Sequence, residues 1–211
     1  MPLQNRINPF GEIFVSESRG TFTGNRGVIH KNKKIVACFK TKYWITCVLE
    51  YKGFRRQVMT ENRWTELFFL DEATAFAAGH RPCAFCRNAV YKTFKKLWID
   101  SNAKNYELVD HSIKTIDKIL HAERINIEGE KILFTATLKE LPDGVFVQLT
   151  DTTESYLYFN QQLLKWTPFG YTKIFPLSPQ TEVKVLTPKS ITNVFAGGYV
   201  PEIHFSALLM R

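Results

Sequence analysis

The sequence predicts an α+β fold: a metal-stabilised β-hairpin and helix unit in the N-terminal half, followed by a strand-rich C-terminal unit. Three observations point to it. An apolar run, an Ala-rich segment and a Gly-bounded C-x2-C knuckle follow one another directly over residues 66–87. Short β-branched and aromatic runs alternate with Gly, Pro and Asn turns along most of the chain. Helical periodicity is confined to a few segments, chiefly 87–98 and 189–196.

With 211 residues, 45% hydrophobic and 23% charged, the chain can bury a substantial core. The division expected is a basic unit over 1–99 and a strand-rich unit over 100–211, standing apart or packed into one. The first residues lack the apolar run of a signal peptide, and no segment is long and uncharged enough to span a bilayer. A cytoplasmic protein without a membrane partner is the expectation, in which four cysteines serve as ligands or buried thiols. Residues 1–99 carry 17 Lys and Arg against 7 Asp and Glu, and residues 100–211 carry 11 against 13. The whole excess of +8 thus sits in the cysteine-bearing half, which suits a polyanionic partner or a plain basic surface.

From the N-terminus, Asn8-Pro9, Arg19-Gly20 and Gly24-Asn25-Arg26-Gly27 punctuate apolar pieces at 12–15 and 27–30, predicting short strands. The Gly24 to Gly27 segment reads as a hairpin turn, or as a place where Arg26 and backbone amides approach an anion. It lacks the Lys-Ser/Thr pair of a Walker loop. Residues 35–39 and 44–49 are β-rich, and a hairpin between them would set Cys38 across from Cys47, Cβ atoms about 5 Å apart. A one-residue slip of register would turn Cys38 away.

Residues 51–59 predict a further hairpin. Lys52, Arg55, Arg56 and Arg63 interleave with Phe54 and Trp64, a mix that suits phosphate contact and base stacking, or that simply alternates exposed and buried positions. Residues 66–70 end a buried strand, the Ala-rich segment forms a helix, and Gly79 stops it. Cys83 and Cys86 can then both lie about 2.3 Å from one zinc ion. Val90, Phe94, Leu97 and Trp98, with Arg87, Lys92, Lys95 and Lys96 between them, predict a helix with a basic outer face.

Residues 99–118 form a polar connection, and 118–127 pairs with 131–138 as a hairpin turning at Glu128-Gly129-Glu130. Strand alternation would put His121 and Glu123 on one face, for acid–base work or as a simple hydrogen-bonded pair. Further strands fall at 145–149, 156–159 and 182–186. Thr187 caps a helix over 189–196 that begins at Pro188 and stops at Gly197-Gly198.

Lys40-Thr41-Lys42-Tyr43-Trp44-Ile45-Thr46-Cys47, Phe68-Phe69, and the run from Glu72 through Ala77-Ala78-Gly79-His80-Arg81-Pro82-Cys83-Ala84-Phe85-Cys86 carry a likeness. Over roughly residues 35–90 the chain resembles the zinc-binding domain of the Ada DNA-repair and response proteins. The resemblance implies a zinc ion held by four thiolates in a domain that contacts DNA phosphates. It also implies that Cys47, matching the family's first cysteine, accepts methyl groups from phosphotriesters. The family's next cysteine falls near Tyr51, so the fourth ligand is assigned to Cys38 on the hairpin reading, with His80 and His30 in reserve. A closed four-ligand set is structural, because zinc catalysis needs an open position.

The function expected is that of a zinc-containing nucleic-acid-binding protein related to DNA repair, with DNA the foremost partner. Arg55, Arg56, Arg63, Arg81, Arg87 and Lys92 would form its basic face and Trp64 or Trp44 its stacking platform. One alternative is a nuclease or nucleotide-modifying enzyme using His121 and Glu123, or His30 beside Arg26. A second is methyl-phosphotriester repair at Cys47.

Overall fold

A computed structural model describes residues 1–150 and 152–210. The first half holds ten short strands: β1 (Gln4–Ile7), β2 (Ile13–Val15), β3 (Phe22–Asn25), β4 (His30–Lys31), β5 (Lys34–Ile35), β6 (Ile45–Val48), β7 (Glu50–Tyr51), β8 (Phe54–Arg55), β9 (Leu67–Phe69) and β10 (Arg81–Pro82). Helix α1 (Glu72–Ala77) joins β9 to β10, and α2 (Asn88–Asn102) follows the knuckle. The second half comprises α3 (Ile113–Arg124), β11 (Phe134–Thr137), β12 (Phe146–Gln148), β13 (Tyr156–Phe159), β14 (Gln162–Thr167), β15 (Gly170–Phe175), β16 (Glu182–Val185), α4 (Lys189–Ala196) and α5 (Phe205–Leu208). The α+β class is as the sequence predicts. Among the described residues no helix is long and apolar enough to cross a membrane.

Two six-stranded sheets dominate, ordered β10-β6-β3-β9-β1-β2 and β11-β16-β12-β13-β14-β15. The second is antiparallel throughout, whereas the first contains two parallel pairs, β1 with β9 and β10 with β6. Helix α1 lies between the sheets and contributes to three hydrophobic cores. Phe76 packs with Phe94, Trp98 and Val147; Ala73 and Ala77 pack with Phe146 and Leu164; Ala75 and Ala78 pack with Leu67 and Phe69. Alanine suits this position because only a small side chain lets a helix approach neighbours on all sides, and it carries the best helix propensity. Asp71 caps the helix, accepting from Thr74 N at 2.8 Å, and its other oxygen accepts from Tyr171 Oη and His204 N at 2.7 and 2.9 Å. The 99/100 boundary falls inside α2, and two cores draw residues from both sides of it.

Several local expectations give way to tertiary pairing. The hairpin between 35–39 and 44–49 does not form: β5 pairs with β4, and β6 lies between β3 and β10 with Thr23 opposite Cys47. Residues expected to start a strand at 118 belong to α3, which Ser112 caps through its bond from Thr115 N and which buries Ile116 and Leu120. Of that second hairpin the expected turn remains, closed by Asn126 N to Glu130 O at 2.9 Å and Ile132 N to Arg124 O at 3.2 Å about the bridge Ile125–Lys131. Helix α4 spans the expected residues, yet Thr187 is not its cap, since its hydroxyl accepts from Phe146 N at 2.9 Å. Glu123 takes the capping role, accepting from Ser190 N at 3.1 Å and bonding Ser190 Oγ. A carboxylate beside exposed N–H groups at a helix start is favoured by the helix dipole.

Candidate metal centre and cleft

Three cysteines meet at the edge of the first sheet. β10 runs alongside β6 with Arg81 opposite Ile45 and Pro82 opposite Thr46, and Cys83 N donates to Thr46 O at 2.9 Å. This pairing carries the knuckle to the strand that bears Cys47. Gly79, at φ +81°, turns the chain out of α1 toward β10; a Cβ there would stand 2.5 Å from Arg124 Cδ. The sulfurs of Cys47, Cys83 and Cys86 all lie within 4.8 Å of one another. Tetrahedral zinc with Zn–S near 2.3 Å requires sulfurs roughly 3.8 Å apart, so the set fits a divalent ion after small side-chain rotations. No disulfide ties them.

The electrostatics suit a thiolate cluster. Hydrogen bonds from Cys47 and Cys86, then backbone N–H groups of Cys86 and Phe85, hold the Cys83 thiol well below its ordinary value. Phe85 N reaches Cys83 Sγ at 3.4 Å. The same sharing pushes Cys47 far up, through its bonds to Cys83 and Cys86 and then through burial. A metal ion bound there would displace the protons that the three thiols share.

Cys38 does not join the cluster. It is exposed and lines a different cavity, because the hairpin that was to bring it across from Cys47 is absent. The reserve ligands are also placed elsewhere. His80 is fully buried against Trp44 and Phe69, its Nε2 accepting from Arg26 Nε at 3.3 Å, and burial holds its pKa well below the usual range. His30 bonds Thr65 Oγ1 through Nδ1 at 2.6 Å. Among the described residues the fold brings three cysteine sulfurs together, rather than the closed four-ligand set.

The sulfurs line a cavity of about 540 Å³ together with Tyr51, Lys52, Phe54, Arg55, Arg56, Trp64, Glu66, Phe68 and Phe85. Phe54 and Phe85 are 69% and 74% exposed, and Arg56 lies over the Trp64 ring with Cζ 4.9 Å from its centre. The β7–β8 hairpin carries this rim on a tight Lys52-Gly53 turn, with both residues at positive φ. Arg55, Arg56, Arg63, Trp64 and Lys92 are exposed as expected, and Arg63 borders the adjoining hollow with Arg56 and Trp64.

Arg81 and Arg87 are corrections. Arg81 is buried in a two-pronged pair with Asp117 at 2.7 and 2.7 Å, and Arg87 is buried against Glu72 at 2.6 Å. Their charges are neutralised inside the protein, so neither belongs to a basic face. His121 and Glu123 do not form an acid–base pair either: Glu123 caps α4 and accepts from Tyr106 Oη, while His121 Nδ1 faces Arg124 Nη2 at 2.9 Å. Burial and the Arg124 charge push His121 down to about 4. Sequence reasoning missed Phe85 and Glu66 as cleft residues. An apolar side chain at the tip of a knuckle, Ala84-Phe85 between the thiols, was the available signal for Phe85.

Comparison with protein-family models, with curated proteins and with solved structures found no match. What fold and site define is an α+β protein with a three-cysteine cluster in an aromatic cleft, able to hold a metal ion.

Proposed function

We propose that the protein holds zinc on Cys47, Cys83 and Cys86 and binds nucleic acid, DNA foremost, across the adjoining cleft. The reading is supported above all by one juxtaposition: the thiols, Arg55, Arg56 and the rings of Phe54, Trp64 and Phe85 line a single cavity. Flat rings accept unstacked bases, and neighbouring guanidiniums contact the phosphates between them. Three protein sulfurs leave one tetrahedral position for water or for a group entering the cleft. The resemblance to Ada zinc domains supports the same partner.

Fluorescence titration of a short single-stranded DNA at increasing salt tests this. Affinity falls with salt, and neutralising Arg55 and Arg56 together flattens the log–log slope by about 1.4, near 0.7 per lost phosphate contact. Binding indifferent to salt and to both substitutions would remove the proposal.

Because Cys47 itself borders the cleft, methyl-phosphotriester repair is retained as a second reading. In that reaction the Cys47 thiol loses its proton to solvent, the thiolate sulfur bonds the methyl carbon, the ester C–O bond breaks, and a phosphodiester anion leaves. Incubation with methylated DNA followed by peptide mass analysis is expected to place one methyl group on Cys47, and an unmodified Cys47 excludes the reading. The His121–Glu123 form of the nuclease reading loses its basis, because the two side chains take different partners.

A further inference from the structure

A second cavity, of about 490 Å³, shares no lining residue with the cysteine cleft. Its wall includes Arg26, Arg124 and Lys131, together with Gly11, Trp44 and Cys38. Arg26 is 2% exposed and Arg124 1%. Their guanidinium carbons stand 3.8 and 3.9 Å from the centre of the Trp44 ring. Three cations of one sign are therefore gathered around one hollow.

Their protein partners are all neutral. Arg26 donates to Gly11 O at 2.9 Å and to His80 Nε2; Arg124 donates to Gly79 O and Lys42 O, each at 2.8 Å; Lys131 donates to Ala77 O. Arg26 Nη2 and Arg124 Nε are buried with no acceptor. None of the ion pairs among the described residues includes any of the three. Two carboxylates, Glu12 and Glu130, also line the cavity, but both are exposed and accept from Asn8 and Asn126 rather than from the three cations, and Asp117 is paired with Arg81.

Removing a cation from water without a counter-charge costs several kcal/mol even after relaxation. The Trp44 face offsets part of that for the two arginines. A fold that gathers two such buried groups, with half-buried Lys131 beside them, around an accessible hollow has the form of a site completed by an anion. We propose that this cavity binds a phosphoryl-type oxyanion between Arg26, Arg124 and Lys131. Several cations and unpaired N–H donors match a multiply charged group with acceptors in more than one direction, which a single carboxylate does not supply. Burial, then the charges of Arg26 and Arg124, already drives Lys131 down to about 7, and burial brings Arg26 to about 9. A bound anion reverses that pressure and keeps Lys131 protonated.

Thermal unfolding of the full chain at neutral pH, titrated with inorganic phosphate while sodium chloride holds ionic strength constant, tests the site. Phosphate raises the melting temperature with saturation. Glycerol phosphate doing the same identifies a phosphomonoester site, its failure a free-anion site, and succinate is weaker than phosphate. Lys131→Met keeps the packing of the stem and is expected to weaken phosphate about tenfold or more while raising the melting temperature without it. A lysine with a purely structural role would lower it instead. Arg26→Gln abolishes the response, and Lys131→Met carries the test should that variant not fold. A rise no greater than chloride gives, succinate stronger than phosphate, or unchanged phosphate affinity in Lys131→Met would overturn the proposal.

Discussion

Replacing Cys83 with serine is expected to lower zinc affinity roughly a hundredfold or more. Structural zinc sites release about 10–16 kcal/mol over four ligands, so one thiolate carries on the order of 3 kcal/mol. Cys83 is the strongest choice because its sulfur also accepts from the Phe85 amide at 3.4 Å, which fixes it in place beside Cys47 and Cys86. Competition against a chromophoric chelator measures the loss. Cobalt(II) substitution supplies a second signal, since sulfur-to-metal absorption in the wild type fades in Cys83→Ser. Cys38→Ser leaves both readings unchanged, because Cys38 lies outside the cluster. Equal effects at Cys38 and Cys83 would contradict the three-sulfur assignment.

The second large effect falls at Asp117. Asp117→Ala leaves the Arg81 guanidinium buried without its counter-charge, a change that typically costs about 3–5 kcal/mol. In a chain of this size each kcal/mol lowers the melting temperature by about 2–4 °C. Asp100→Ala removes only the exposed pair with Lys96 and is expected to change stability by no more than about 0.5 kcal/mol. Calorimetry on the two variants separates the cases. Arg81 also connects α3 to the strand that carries the knuckle, so Asp117→Ala should weaken metal retention as well as stability. A loss of stability as small as that of Asp100→Ala would show the pair to be replaceable.

The parts that were legible from the sequence were those governed by local chemistry. The Ala-rich segment from 73 to 78 with Gly79 after it, the Pro82-Cys83 knuckle, the 87–98 periodicity and the Gly197-Gly198 stop each depend on neighbours in the chain. Cys38 was misplaced because a β-rich pair of segments looks alike whether the strands pair with each other or with distant ones. Here β6 chose β3 and β10. The C-terminal half of α3 has the alternation of a strand, while the informative helix start, Ser112 followed by Ile113 and Ile116, lies within an otherwise polar stretch. Charge counting grouped Arg81 and Arg87 with Arg55 and Arg56 because composition does not reveal that Asp117 and Glu72 lie beside the first two. The Arg26, Arg124 and Lys131 gathering draws on positions about a hundred apart, beyond any local pattern.

The burial of α1 on every side limits how this molecule can be divided. Phe76 rests on Phe94, Phe195 and Tyr199, so ending the chain at residue 99 would remove the last two, uncover Phe76 and Phe94, and cut α2 short of its last residues. The thiol knuckle is therefore not a portable finger to be excised or grafted. Its geometry is underwritten by the C-terminal sheet, and whatever the sulfurs grip, the entire polypeptide must be folded first.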